Sequence, residues 1–118
     1  MDRKVSVAPM MDCTDRHERF FLRLISKNVL LYTEMIVSEA INRGDKKKLL
    51  EFNIEEKPVA LQVGGSSPKL LAEAAKVGEE FGYDEINLNL GCPSKKVQKN
   101  KFGACLIKEP SLVADCLN

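Results

Sequence analysis

Lys4-Val5-Ser6-Val7-Ala8-Pro9-Met10-Met11-Asp12 is the stretch on which the architecture turns. A valine-rich run stopped by proline reads as a short buried strand. The segment that follows it has no glycine. An open doubly wound sheet places a glycine-rich phosphate loop directly after its first strand. A closed (β/α)8 barrel makes no such demand, and it sets functional side chains at the carboxyl ends of several strands.

Working outward, three more apolar runs read as strands, over residues 29–35, 59–63 and 85–90. Strand starts near residues 5, 30, 59 and 85 lie 25, 29 and 26 apart, a βα unit repeated four times, so the sheet is parallel and covered by helices. Asp12 or Thr14 can cap a first helix with Phe20, Phe21, Leu24 and Ile25 on its inner face. Residues 38–52 read as short helical pieces, with Lys46, Lys47 and Lys48 on a solvated face beside Asp45 and Glu51. Ser67 and Pro68 open a helix whose inner stripe is Leu70, Leu71, Ala74, Ala75 and Phe81, and Gly82 closes it. Pro110 starts a last helix with Leu112, Val113, Cys116 and Leu117 inward. Met10, Glu34, Gln62 and Asn89 then stand at four different strand ends, as a barrel requires.

The fold class is therefore α/β, the N-terminal half of a TIM (β/α)8 barrel with about four βα units. A whole barrel takes roughly 200 residues or more, and this chain has 118. Residues 1–118 are thus expected to be a truncated half of a catalytic domain. Open strand edges and an exposed apolar face would make it self-associate.

Composition narrows the function classes. With 44% hydrophobic and 30% charged residues, the chain is of ordinary soluble type, and neither a membrane span nor a signal peptide is seen, so the cytoplasm is expected. Cys13, Cys92, Cys105 and Cys116 show no C-x-x-C spacing, which argues against a disulfide framework. Cys13 and His17 could share a helix face, but two ligands do not make a structural zinc site, and no metal is expected.

The chemistry concentrates in residues 87–106. Asn87 and Asn89 interrupt an otherwise apolar strand, which then breaks at Gly91-Cys92-Pro93-Ser94. Buried amides without partners are costly, so their presence at a strand end marks a site. From Gly91 to Lys108 there are five lysines (Lys95, Lys96, Lys99, Lys101 and Lys108) and no acid, which favours a phosphate-bearing partner. Asn100 is the non-glycine residue suited to a left-handed turn in this loop. Cys105 sits among small residues in Phe102-Gly103-Ala104-Cys105. A thiol titrating near about 8.5 is mostly protonated at neutral pH and can serve as a general acid. Cys105 is the expected acid, Cys13 and Cys116 read as buried fillers, and Cys92 stays open between a site role and the end of its strand.

Seven motifs in order then resemble the tRNA-dihydrouridine synthases, most closely their synthase A branch. They are Ala8-Pro9-Met10-Met11-Asp12, Thr14-Asp15-Arg16-His17, Leu31-Tyr32-Thr33-Glu34-Met35, Pro58-Val59-Ala60-Leu61-Gln62, Gly82-Tyr83-Asp84-Glu85-Ile86-Asn87-Leu88-Asn89, Gly91-Cys92-Pro93-Ser94 and Phe102-Gly103-Ala104-Cys105-Leu106. Two departures are mild: Cys13 where an aromatic is frequent, and Asn100 where glycine is common. The resemblance implies an FMN-binding barrel in which Pro9, Met10 and Met11 cover the flavin ring and Gln62 bonds its polar edge. It implies NADPH as reductant of the flavin, hydride transfer to C6 of a D-loop uridine at tRNA positions 20 and 20a, and a proton from Cys105 to C5. Asn89 and Phe102 would hold the base, which must be extruded from its stack. Lys95, Lys96, Lys99 and Lys101 would hold nearby phosphates. The later strands and a helical tRNA-binding domain of that family have no counterpart in these residues, so the chain alone is expected to bind FMN weakly or not at all and not to turn over.

Two rivals remain at this level. Flavin barrels of the dihydroorotate or dihydropyrimidine dehydrogenase type do similar chemistry on free pyrimidines. A non-catalytic RNA-binding barrel fragment is the other.

Overall fold

The computed structural model describes residues 3–118. All four expected strands form, as β1 (Ser6–Val7), β2 (Leu30–Tyr32), β4 (Val59–Gly64) and β5 (Glu85–Leu88), and a further short strand β3 (Ile36–Val37) joins them. Every pairing is parallel. Ser6 lies opposite Leu30, Leu31 opposite Val59, and Gln62 opposite Asn87. Each stave is added beside the previous one in chain order, the arrangement of consecutive barrel staves. The reversal of strand order that marks a doubly wound sheet does not occur among the described residues.

The second stave is not the single strand expected over 29–35. Tyr32 pairs with Ala60 and Ile36 with Val63, four steps on one side against three on the other. This is a β-bulge, which bends the strand and re-aims its side chains. Thr33 makes the bulge tolerable. Its N–H donates to the Ala60 carbonyl at 2.9 Å, and its hydroxyl accepts the Gln62 N–H at 3.0 Å while donating to the Glu34 carbonyl at 2.8 Å. A side-chain oxygen thus replaces the missing ladder partner, and Glu34 is turned towards the end of β1.

Between β4 and β5, helix α4 (Pro68–Phe81) starts where expected. The Ser67 hydroxyl accepts the Leu70 N–H, Pro68 fills the first turn, and Gly82 closes the helix at φ 89°. Its fully buried residues are Leu71, Ala74, Val77 and Gly78, so the inner stripe is rotated from the expected one, and Leu70, Ala75 and Phe81 are only half-buried. β4, paired on both edges, is buried along its whole length, whereas β5 is half-buried throughout. Helices α2 (Ser38–Arg43) and α3 (Lys46–Leu50) make up the mixed segment; the Asp45 carboxylate accepts the Lys48 N–H, and the three lysines are exposed as expected. Below them Tyr83 donates to the Leu50 carbonyl at 3.0 Å, and burial pushes its hydroxyl up to about 12.

Helix α1 (Arg16–Ile25) contradicts its sequence pattern. Phe21, Leu24 and Ile25 are 60%, 71% and 68% exposed, while Arg19 and Arg23 are buried. The cause is Glu56, fully buried in the short 3-10 turn Ile54–Glu56. Arg19 Nε meets Glu56 Oε2 at 2.6 Å, and Arg23 donates to the carbonyls of Glu56 and Pro58. The Asn53 backbone and side-chain amides donate to the other Glu56 oxygen, Oε1. Burial pulls the Arg23 guanidinium down from its ordinary value, with the Glu56 charge opposing. A buried carboxylate must be paired, and this one draws α1 round until its arginines face inward. Nor is the helix capped by Asp12 or Thr14. Asp15 caps it, accepting the N–H groups of His17 and Glu18, because Thr14 is buried and engaged with Met10.

Helix α5 (Lys95–Lys99) follows β5. After the 3-10 segment Gly103–Lys108, helix α6 (Pro110–Leu117) begins at Pro110 as expected, with Leu112, Val113 and Cys116 half-buried. Leu117 is exposed rather than inward.

Candidate functional site

Two strand ends are clipped together above the sheet. The Thr14 hydroxyl accepts the Met10 N–H at 3.0 Å and donates back to the Met10 carbonyl, which also accepts the N–H groups of Cys13 and Thr14. Asp12 stands at φ 61°, and its N–H donates to the Glu34 carboxylate supplied by the bulge. The result is a rigid shelf of Pro9, Met10 and Met11, with both methionine side chains exposed on it.

Beside the shelf runs a ladder of amides. Residues two apart on a strand share a face, so Asn87 and Asn89 flank Gln62 of the neighbouring stave. Gln62 Nε2 donates to Asn87 Oδ1 at 2.8 Å, and Asn89 Nδ2 donates to Gln62 Oε1 at 3.0 Å. Asn89 Oδ1 accepts the N–H groups of Gly91 and Cys92, at 3.2 and 3.0 Å. All three amide oxygens are thereby committed. One N–H on Gln62 and one on Asn89 stay unused among the described residues, since a primary amide carries two. The shelf and the ladder enclose a cavity of about 330 Å³ lined by Pro9, Met10, Met11, Met35, Gln62, Asn89, Gly91 and Cys92. It offers an apolar face and an edge of hydrogen-bond donors.

The loop beyond Cys92 is tied back on itself. The Cys92 carbonyl accepts the Ala104 N–H at 3.0 Å, and a Cβ at Gly103 (φ 66°) would stand 2.7 Å from that same oxygen. Only glycine fits there. α5 is capped by Ser94 and ends in a Schellman arrangement: Lys101 N–H donates to Gln98, Phe102 N–H to Val97, and Val97 packs on Phe102. The left-handed residue is Lys101, at φ 58°, and not Asn100, at φ −91°. Asn100 instead folds its side-chain amide onto the Lys96 carbonyl.

The expected site residues separate accordingly. Pro9, Met10, Met11, Gln62 and Asn89 converge on one cavity. Phe102 is a buried core residue with Val97 and Leu106, and it borders an adjoining cavity together with Lys96. Lys95, Lys99 and Lys101 are exposed on α5 and its end and line neither cavity. Cys105 is half-buried, donates its thiol to the Phe102 carbonyl at 3.0 Å, and borders neither cavity. Cys92 lines both. The readable signal for Cys92 was its place three residues after Asn89, since an asparagine side chain commonly bonds the backbone N–H groups just ahead of it. Met35 was also missed, and nothing local in its sequence distinguishes it from a core methionine.

Comparison with known proteins adds to this geometry. Residues 6–118 match the family model described as Dihydrouridine synthase (Dus). The chain is 61% identical over 114 residues to a Synechocystis protein named tRNA-dihydrouridine(20/20a) synthase, covering 97% of this chain and 34% of that protein. Proteins of the same name from Xanthomonas campestris and Pseudomonas aeruginosa are 57% and 56% identical, over 97% and 99% of this chain and 34% and 35% of theirs. The chain spans about a third of the length of these curated relatives.

Proposed function

The chain belongs to the dihydrouridine synthase family, and on that footing we propose that it is the flavin-facing part of an enzyme that reduces the C5–C6 bond of D-loop uridine in tRNA, at positions 20 and 20a. The observation that carries this reading is the 330 Å³ cavity at the strand ends. Its wall of Pro9, Met10, Met11 and Met35 fits a flat apolar ring. The spare N–H groups of Gln62 and Asn89 fit the acceptor-rich pyrimidine edge of FMN. When bound and reduced by NADPH, FMN supplies the hydride that uracil C6 takes up.

The remaining work falls to the chain's own residues. Saturating the C5–C6 bond requires a proton at C5, delivered by an acid that reaches the base. We place that acid at Cys92, and not at Cys105, because Cys92 opens onto the cavity while the Cys105 thiol is turned to the Phe102 carbonyl. Asn89 positions the acid by holding the N–H groups of Gly91 and Cys92. Phe102 acts from beneath the loop, and the α5 lysines lie where RNA phosphates would approach.

Residues 1–118 then form the N-terminal half of the catalytic barrel, working in the cytoplasm beside its tRNA. Further β/α units and a helical tRNA-binding domain would complete the enzyme. Alone, the chain would hold FMN weakly, turn over no substrate, and associate with itself through the outer edges of β1 and β5. Among the described residues no helix is long and apolar enough to cross a membrane.

The test uses the protein extended to the length of its relatives. Cys92→Ala should lower uridine reduction on tRNA by about 10²–10⁴-fold, the range for losing a general acid, with flavin absorbance retained. Cys105→Ala should leave reduction within a few-fold of the parent. The reverse ranking would return the acid to Cys105. Stoichiometric FMN retained by the 118 residues alone would show that the half-barrel is a complete cofactor site.

A further inference from the structure

A second cavity, of about 590 Å³, adjoins the first and shares Met11, Met35 and Cys92 with it as a common wall. It lies between the start of α2, the turn before α4, and α5. Its lining combines apolar Leu70, Val97 and Phe102 with polar Ser38, Ser66, Ser67 and Lys96. That volume is in the range of sites that enclose a small ligand.

Ser38 marks it as more than a gap. The residue is 2% exposed, yet its hydroxyl makes no hydrogen bond among the described residues, and it borders the cavity. The hydroxyl is not sealed off: it keeps a small opening, and a ligand in the cavity it borders can bond to it. Gly65 keeps the approach open, since a Cβ there would stand 2.5 Å from the Ser38 hydroxyl oxygen. Ser66 and Ser67 follow at the start of the 14-residue α4, where the helix dipole favours an anion. Lys96 faces them from α5 with the only cationic side chain of the lining, and Glu39 on the rim can accept a sugar hydroxyl.

We propose that this cavity holds the nucleotide next in the RNA chain to the uridine that is reduced over the flavin of the first. Its base rests against Leu70, Val97 and Phe102. Its phosphate lies between Lys96 and the Ser66–Ser67 turn, and the chain crosses over Cys92. The inference rests on the reading of the first cavity as the flavin site, with the uridine held over it beside Cys92, and it explains why a soluble pyrimidine would be a poorer ligand than an oligonucleotide.

The test is amide chemical-shift titration of the ¹⁵N-labelled protein, extended to the length of its relatives and loaded with FMN, using uridine monophosphate and the dinucleotide UpU as probes. UpU should shift the amides of Ser38, Gly65, Ser66 and Lys96, and bind about tenfold more tightly than the mononucleotide, an increment that one further contact set readily supplies. Ser66→Trp, which fills the second cavity, should abolish that tenfold gain and leave the mononucleotide affinity unchanged. Lys96→Ala should reduce the salt dependence of UpU binding by about one phosphate's worth, a log–log slope change of roughly 0.7. Equal affinities for the two probes, with shifts confined to Gly91 and Cys92, would overturn the second subsite and leave the uridine site standing. Absence of any shift with either probe would overturn both.

Discussion

Helix α4 packs Leu71, Ala74 and Val77 onto the sheet, whereas α1, with an equally regular row of Phe21, Leu24 and Ile25, turns that row to solvent and buries Arg19 and Arg23. Amphipathic periodicity says that a helix has a face, and it does not say which partner the face will meet. For α4 the partner is the apolar surface of β4 and β5, close in sequence. For α1 it is the carboxylate of Glu56, 37 residues from Arg19. Burying Glu56 without its guanidinium partners would leave an uncompensated charge, at about 3–5 kcal/mol, and α1 is turned so that Arg19 and Arg23 meet it.

The sharpest way to break this contrast is Glu56→Gln. It keeps the shape and leaves Arg19 buried without a counter-charge, so the chain should lose about 3–5 kcal/mol of stability. Urea unfolding followed by circular dichroism reads the change, and a loss below about 1 kcal/mol would mean that the pair does not hold α1 in place. On the other helix, Leu71→Ala removes a buried side chain at the sheet contact and should cost about 2–4 kcal/mol in the same assay. Both losses should persist in 1 M salt, because the Arg19–Glu56 pair is buried and salt screens such a pair little; a first loss that vanished in salt would place the pair in solvent.

The cap of α1 gives a smaller and pH-dependent effect. Hydrogen bonding from the Glu18 N–H, with the His17 N–H and nearby cationic groups helping, holds the Asp15 carboxyl below its ordinary value. Its folded-state pKa is depressed, so its contribution is fully present above the unfolded-state value and is lost as pH falls through the folded one. Asp15→Ala should therefore cost about 1 kcal/mol at neutral pH. The gap between parent and variant should close on acidification into the range below an ordinary carboxylate. A gap that widened on acidification would reverse the assigned sign.

Most of the sheet was legible because its signals are local. Residues 59–63 are apolar apart from Gln62 and follow Pro58, Ser67 and Pro68 open a helix, and the run after Val7 lacks the glycines of a phosphate loop. The Gln62 and Asn89 amides were legible for the same reason, standing out from apolar runs. What could not be read depends on contacts between distant residues. The bulge at Thr33 shows only when strand 30–37 is laid against 59–64. The two cysteines show it most clearly. Cys105 has the more accommodating neighbours in sequence, but the bond from Ala104 to the Cys92 carbonyl turns the loop so that Cys92, and not Cys105, opens onto the cavities.

The exposed row on α1 gives the smallest and most discriminating effect. Phe21→Ser changes a side chain that is 60% exposed, touches no cap, and leaves the Arg19–Glu56 pair intact. In the isolated chain at low concentration it should alter stability by no more than about 0.5 kcal/mol, as ordinary surface substitutions do. The same change has a second consequence if the chain pairs with itself or with further β/α units through this face. The row would then be buried, and each removed apolar side chain would weaken that association by about 1.5–3 kcal/mol. Sedimentation of parent and Phe21→Ser across a concentration series separates the two. Parent association that Phe21→Ser abolishes identifies the face that α1 turned outward as a contact surface. Identical profiles would mean that the arginine network alone accounts for the orientation of α1.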